Sequence, residues 1–248
     1  MRPAETFGAL LAQRVRQDGG RPLVTYVGTD QRMELSAVSL ANAVAKSAGL
    51  LRDDLDAQPG TPIALALPLH WQTAVWWGAC AAVEGILVCP DAPADIGVAT
   101  AANLSDIAGC AEQIAVSLAA FGLPDGAALP STVVEAAVAA RTHPDEFTPY
   151  TSPDPAVTLM DLGGQRLNVE QCREAARSWA EAWGVAPGGR LLITDNDWAP
   201  NEPWCWLALL AVPLVADASV VLASGISPDA IDRLMLDERI TAVPTDSR

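Results

Sequence analysis

The sequence predicts an α/β fold: two similar lobes of mostly parallel sheet flanked by helices. Three observations predict it. First, Ile63–Leu67 and Ile86–Cys89 are short, wholly apolar runs separated by a longer helical stretch, His70–Val83. That is the signature of a βαβ unit whose strands are buried on both faces. Second, the arrangement recurs. A Pro-Gly pair, a strand, a tryptophan-bearing segment, an apolar helix and a second strand occur at 59–89 and again at 187–223. Third, half of the 248 residues are hydrophobic and 18% are charged. Such a chain buries a sizeable core and does not stay disordered.

Each element follows from local pattern. Phe7, Leu10, Leu11 and Val15 mark one face of a first helix, which Gly19-Gly20 ends. This opening segment, with charges throughout, is an amphipathic helix and not a signal peptide. Leu23–Val27 is β-rich. A turn over Gly28–Arg32 leads into Met33–Leu35, and Ser36 is placed to cap a helix running to Leu51. After the first βαβ unit the pattern predicts a strand at Ile96–Ala99, a helix from Ser105, a loop over Pro124–Pro130 and a short helix over Val133–Ala140. Thr142–Pro155, with prolines at 144, 149, 153 and 155, reads as a linker. It divides the chain into a first lobe, 1–145, and a second, 146–248, packed as one unit.

The stretch Ser152–Ala176 organises the second half. It reads as turn, buried strand from Val157 to Met160, glycine turn, then helix. Asn168 and Gln171 form a variant of the capping box, and Cys172, Ala176, Trp179 and Trp183 share one helical face. Strands at Leu191–Thr194 and Ser219–Ala223 flank a helix over Trp204–Val212. A helix over Pro228–Leu236 and a strand at Ile240–Val243 follow.

Composition excludes several functions. A formal net charge of −15 repels nucleic acid and anionic membrane. The longest apolar run, Trp204–Ala216, is too short to span a bilayer and contains Pro213. The five cysteines form no CxxC pair, and the only histidines are His70 and His143. No metal site is expected, and an odd set of scattered thiols suits a reducing cytosol. There is no G-x-S-x-G elbow or Walker loop, and no catalytic residue is assigned. Lys46 reads as part of a solvated helix face and His143 as an exposed linker residue.

Two polar places remain. Gly163, Gly164, Gln165 and Arg166 follow a strand, where they either hold one anionic group or simply turn the chain. Asp195, Asn196, Asp197 and Trp198, with Glu202 nearby, follow the strand of the second unit. Their counterparts in the first include His70 and Trp71. Paired lobes place both sets beside a ligand cleft at the carboxyl ends of strands. Carboxylates there either do acid–base work, hold a cation or cap the next helix. Trp71 and Trp198 are the tryptophans expected nearest a ligand.

Three stretches resemble the N-terminal portion of the adenylate-forming enzymes: acyl-CoA synthetases, luciferases and peptide-synthetase adenylation domains. They are Leu67-Pro68 with Trp77–Cys80 and Gly85–Pro90, then Asp154–Val157 with the strand and helix after it, and finally Pro228–Thr245. The resemblance implies that fold, and a small acyl or nucleotide-like ligand. It also implies a phosphate loop rich in Ser, Thr and Gly that ends in Pro-Lys-Gly. Here Asp161-Leu162-Gly163-Gly164-Gln165-Arg166 stands in its place, without Ser, Thr or Lys and with a carboxylate that repels phosphate. The sequence ends before the family's adenine-, Mg²⁺- and ribose-binding motifs and its catalytic-lysine domain. The expectation is therefore a non-catalytic binding or partner module with a degenerate phosphate loop and no cofactor. The alternative is a residual or split acyl-adenylate or acyl-CoA ligase that uses ATP and Mg²⁺ with a separate C-terminal partner. An apolar surface covered by self-association or by another protein is expected as well.

Overall fold

The computed structural model describes residues 6–152 and 154–245. Residues 1–5, where the first expected helix opens, and Pro153 of the linker lie outside them.

Helix α1 (Phe7–Asp18) begins at Thr6, whose hydroxyl accepts from the Ala9 amide at 3.2 Å. Strands β1 (Pro22–Val27) and β2 (Arg32–Ser36) pair as the expected hairpin. Ser36 then caps α2 (Ala37–Gly49) by accepting from the Ser39 amide. Next come β3 (Pro62–Ala66), α3 (Trp71–Ala82) and β4 (Ile86–Val88). Strands β3 and β4 are parallel neighbours, so the first βαβ unit forms. Gly78 of α3 lies so close to α2 that an added Cβ would meet Val44 at 2.7 Å, a separation only a glycine permits.

The region after β5 (Ile96–Ala99) departs from expectation. In place of a helix from Ser105 there is a 3₁₀ segment over Ala101–Ile107, followed by β6 (Glu112–Ala115). The helix expected over 133–140 is instead a strand, β7 (Val133–Glu135), followed by one turn of α4 (Ala136–Ala139). Its β-branched pair Val133-Val134 lies parallel to β6, where such residues fit better than in a helix.

In the second half come β8 (Thr158–Leu162), β9 (Gln165–Asn168), α5 (Val169–Ala182), β10 (Arg190–Thr194), α6 (Pro203–Leu209), α7 (Ala211–Val215), β11 (Ser219–Ala223) and α8 (Pro228–Asp237). The single helix expected over Trp204–Val212 is broken at Leu210, at φ −143°. Pro213 explains the break, because its ring clashes with the carbonyl four residues back, that of Leu209. The strand expected at Ile240–Val243 contributes one bridge, Leu191 to Ala242.

One sheet has seven strands in the order β7-β6-β5-β3-β4-β8-β9, and the other has four in the order β10-β11-β1-β2. Each draws strands from both sides of the expected 145/146 boundary. The hairpin β1–β2 leaves the first half to pair with β11, and β8–β9 leaves the second to pair with β4. The two βαβ units therefore sit in different sheets, but the halves are not separate lobes. The exchange follows from burial. Strands β3, β5 and β11 are buried on both faces, so each sheet is covered twice. Leu191, Ile193, Val220 and Leu222 join Ile63, Leu65, Val98 and the helices α1, α2, α3, α5, α6 and α7 in one core between the sheets. The alternate residues Leu192, Val221 and Ala223 pack under α8. Ala64, Ala66 and Ala99 pack under the 3₁₀ segment. Among the described residues no helix is long and apolar enough to cross a membrane.

The linker is strapped down. Lys46 pairs with Asp145 and donates to the His143 carbonyl, and His143 Nε2 lies 3.2 Å from Asp54. Arg52 donates to the Thr148 carbonyl and lies over the rings of Phe147 and Tyr150. Lys46 and His143, expected to be solvated, are thus fastening points.

Candidate functional site

The glycine corner is a β-hairpin. Leu162 pairs with Gln165 and Asp161 with Arg166 across β8 and β9, leaving Gly163 and Gly164 as a two-residue turn. Both have positive φ, 55° and 77°, as the tight hairpin turn that matches strand twist requires. A Cβ on Gly163 would meet the Asn201 carbonyl at 2.7 Å, so the turn leans on the loop after β10. Arg166 pairs with Asp161 at 3.4 Å, while Gln165 and Arg166 are exposed. The helix that follows is not open to a ligand. Asn168 Oδ1 accepts from the Gln171 amide at 2.9 Å, and Gln171 Oε1 accepts from the Asn168 amide at 3.0 Å. The expected strand–glycine–helix corner is therefore corrected: four residues of β9 separate the glycines from a helix end that caps itself.

The expected cleft residues divide into three places. His70 is the N-cap of α3, and its Nδ1 accepts from the Gln72 amide at 3.2 Å. That bond puts the proton of the neutral ring on Nε2, which has no partner. Only 2% of His70 is exposed, and burial pushes its pKa down to about 4. Its ring meets Tyr26 edge-on at 4.3 Å. Burial raises the Tyr26 pKa; the Ser224 hydrogen bond lowers it, and the charge of Asp195 adds to the rise. Tyr26 thus lies between His70 and Asp195, at the carboxyl ends of β1 and β10. Asp195 Oδ2 accepts from the Gly225 amide at 2.7 Å and ties β10 to the end of β11.

Trp71 is buried on another side of α3, where its ring approaches Gly122. Trp198 packs edge-on against Trp206 at 5.1 Å. Neither borders the cavity described next, contrary to expectation. Asn196 and Asp197 do border it. Asp197 Oδ2 accepts from both the amide and the hydroxyl of Thr194, each at 2.8 Å, which folds the loop back on its strand. Cys205 holds the same loop, its thiol donating to the Asp197 carbonyl and accepting from the Ala199 amide. Burial pushes that thiol up to about 12, so it stays protonated and inert.

This cavity, of about 590 Å³, opens between α5, the loop after β10, α6 and Pro244-Thr245, with Gln165 and Leu167 of the hairpin at its border. Trp179 and Trp183 stack at 5.2 Å, and Trp204 meets Trp183 edge-on at 5.8 Å. Sequence spacing places Trp179 on the core face of α5, but the ring is only half-buried and lines the cavity. Two tryptophans one turn apart beside a third in the next helix were the available signal. A second cavity, of about 490 Å³, lies between α1, α2, α3 and the linker and is mostly apolar. Among the described residues no group of three His, Cys, Asp or Glu stands where it would hold a metal ion.

No family model matches the chain. Its fold is that of the N-terminal domains of acyl-CoA synthetases. It superposes on a Brucella canis acyl-CoA synthetase with TM-score 0.77 at 16% identity, covering 96% of this chain and 46% of that one. The N-terminal domain of FACL13 from Mycobacterium tuberculosis gives 0.71 at 16%, over 95% and 61%. Acetoacetyl-CoA synthetase from Streptomyces lividans gives 0.73 at 18%, over 95% and 41%. The chain thus spans about half the length of these solved structures. A Mycobacterium tuberculosis protein described as a TIGR03089 family protein is 37% identical over 255 residues, covering 97% of this chain and 98% of that one. On that match the chain belongs to the TIGR03089 family.

Proposed function

We propose that this chain is a binding module that keeps the fold of an acyl-CoA synthetase N-terminal domain without its adenylating chemistry. One observation supports the reading above all: the segment expected to grip phosphate is a closed two-residue hairpin turn followed by a self-capped helix. Activating a carboxylate with ATP needs donors and cations positioned on the leaving pyrophosphate. Here the only guanidinium at the turn is engaged by Asp161, and the neighbouring loop brings Asp195, Asp197 and Glu202. On this reading the chain uses neither ATP nor Mg²⁺, and its five free cysteines suit a reducing compartment.

The test pairs a thermal-shift titration with ATP–Mg²⁺ and a pyrophosphate-exchange assay over fatty, aryl and amino acids. The expected result is no shift and no exchange. Exchange by the chain alone overturns the reading. Exchange that appears only on adding a second chain supports the partner-dependent ligase instead.

The module also has a surface suited to self-association or to another protein. Phe121 is 75% exposed, Val138 54% and Leu123 46%; Val138 lies in the helix that follows β7, the edge of the seven-stranded sheet, and Phe121 lies beside the same helix. Light scattering at micromolar concentration checks this, with an assembly larger than the monomer expected for self-association.

A further inference from the structure

We propose that the tryptophan-lined cavity binds an organic cation, a quaternary or alkylated ammonium group carried on a small polar body. The inference rests on the non-adenylating reading and names the class of ligand for it.

Trp183 is 6% exposed and lies innermost. Trp179 stacks beside it, and Trp204 meets it edge-on. Trp183 is covered by its two neighbours, so the ring surface left to the cavity belongs to the half-buried Trp179 and Trp204, and an open indole face attracts a cation near its centroid. A neutral apolar ligand would find the same rings, so the choice turns on charge. The charged side chains at the cavity border are Asp197 and Glu202; no arginine or lysine among the described residues lines it. The nearest arginine along the hairpin, Arg166, pairs with Asp161. An anion entering here meets two carboxylates and no positive partner. An ammonium ion meets carboxylates at the rim and ring faces within, under the field of a chain with formal net charge −15.

The remaining feature is the Trp183 indole N–H, buried without a hydrogen-bond partner. A buried donor of this kind calls for an acceptor. A hydroxyl or carbonyl next to the ammonium group supplies one. Alkylated ammonium is preferred over a primary amine because its methyl groups lose little hydration on entering an aromatic site. At about 590 Å³ the space is of the size that small-ligand sites occupy.

The test uses the full chain with choline and its neutral carbon isostere, 3,3-dimethylbutan-1-ol, followed by calorimetry and tryptophan fluorescence. Choline is expected to bind about two- to thirty-fold more tightly than the isostere, the span of cation–π strengths from exposed to desolvated sites. Glu202→Gln, at an exposed position, is expected to weaken choline about threefold and leave the isostere unchanged. Trp204→Leu is expected to weaken choline more than that. Equal binding of the isostere, or no binding of choline up to about 10 mM by folded protein, overturns the proposal. So does a Glu202→Gln variant with unchanged preference. ATP–Mg²⁺ is titrated in parallel. A blank there with no preference for the cation removes this inference alone, whereas ATP–Mg²⁺ binding overturns the reading beneath it and this one too.

Discussion

The two βαβ units use one plan and end differently. In the first, β3 passes to α3 through a short link, and His70 caps a helix that runs unbroken for 12 residues. In the second, β10 is followed by the loop from Asp195 to Glu202, and the helix starts at a proline and breaks at Leu210. The first connection is dry: Trp76 and Trp77 are 1% and 0% exposed. The second is open, with Trp204 half-buried on a cavity. Both helices reach the core, since Cys205–Leu209 of α6 are as buried as α3, and the longer loop leaves a space only at the start of α6, beside Trp204. Both units thus build the core, and only the second borders the larger cavity.

The largest effect expected from this comparison is on stability. Trp77→Ala removes a wholly buried ring that packs on Phe7 at 6.2 Å and should cost about 3–5 kcal/mol. Trp204→Ala should cost about 1–2 kcal/mol, because its ring already faces the cavity. Denaturant midpoints at constant m-value measure both. Equal costs would mean that the second unit is as closed as the first.

The start of α3 carries an acid response of its own. His70 is held neutral, its pKa pushed by burial from 6.5 to about 4. A group with a depressed folded pKa contributes fully above its unfolded value. Below that the unfolded chain binds the proton first, so stability falls from about pH 6.5 and levels off near pH 4. The loss attributable to His70 is on the order of 3 kcal/mol across that window. His70→Asn keeps a good N-cap and removes the titrating ring. The difference between wild type and variant, taken at each pH, isolates the histidine from the carboxylates. A constant difference from pH 7 to pH 4 would show that the ring takes up its proton without leaving the core.

These contrasts explain what the sequence could and could not reveal. Strands β3, β4, β10 and β11 were legible because both faces are apolar. The caps Ser36 and Asn168 were legible because capping is local chemistry. The exchange of hairpins between sheets was not, since pairing β1 with β11 joins segments whose local patterns say nothing of each other. Strands β6 and β7 were missed because EQIA is half polar and VVE is only three residues long. Of the expected cleft residues, Asn196 and Asp197 border the larger cavity, whereas His70 and Asp195 lie on either side of Tyr26. Trp71 and Trp198 pack away from that cavity, because a strand-end position does not tell which way a large ring packs. Trp179 and Trp183 were read only as sharing one helical face, because helical spacing does not tell how deeply that face is covered.

The hairpin leans on the open unit, and its two glycines separate conformation from contact. Gly164 has only its positive φ to protect, with nothing within 4 Å of an added Cβ. Gly164→Ala should cost about 1–2 kcal/mol, the penalty of a left-handed residue. Gly163→Ala has that penalty plus a backbone clash at 2.7 Å with Asn201. It should cost more, and it should also move the loop that borders the cavity. Melting temperature checks the first difference, and cation binding by the two variants checks the second. Equal binding by both would show that the hairpin and the loop do not communicate.

The smallest effect expected is from Asp161→Asn, and it sharpens the comparison most. The Asp161–Arg166 pair is 43% and 67% exposed, so water screens it, and such pairs contribute about 0–1 kcal/mol. For a chain of this size that is a shift of less than about 4 °C in melting temperature. The variant frees Arg166 and removes the carboxylate that faces an incoming phosphate. If charge alone kept ATP from the corner, ATP–Mg²⁺ should now stabilise the protein. No stabilisation is expected, because the glycines form a turn of two residues and the helix end beyond them is satisfied by Asn168 and Gln171. A clear ATP–Mg²⁺ shift in Asp161→Asn would place the barrier in one side chain and not in the hairpin. The difference between a nucleotide corner and this one would then be electrostatic and reversible, where the present geometry makes it a matter of backbone.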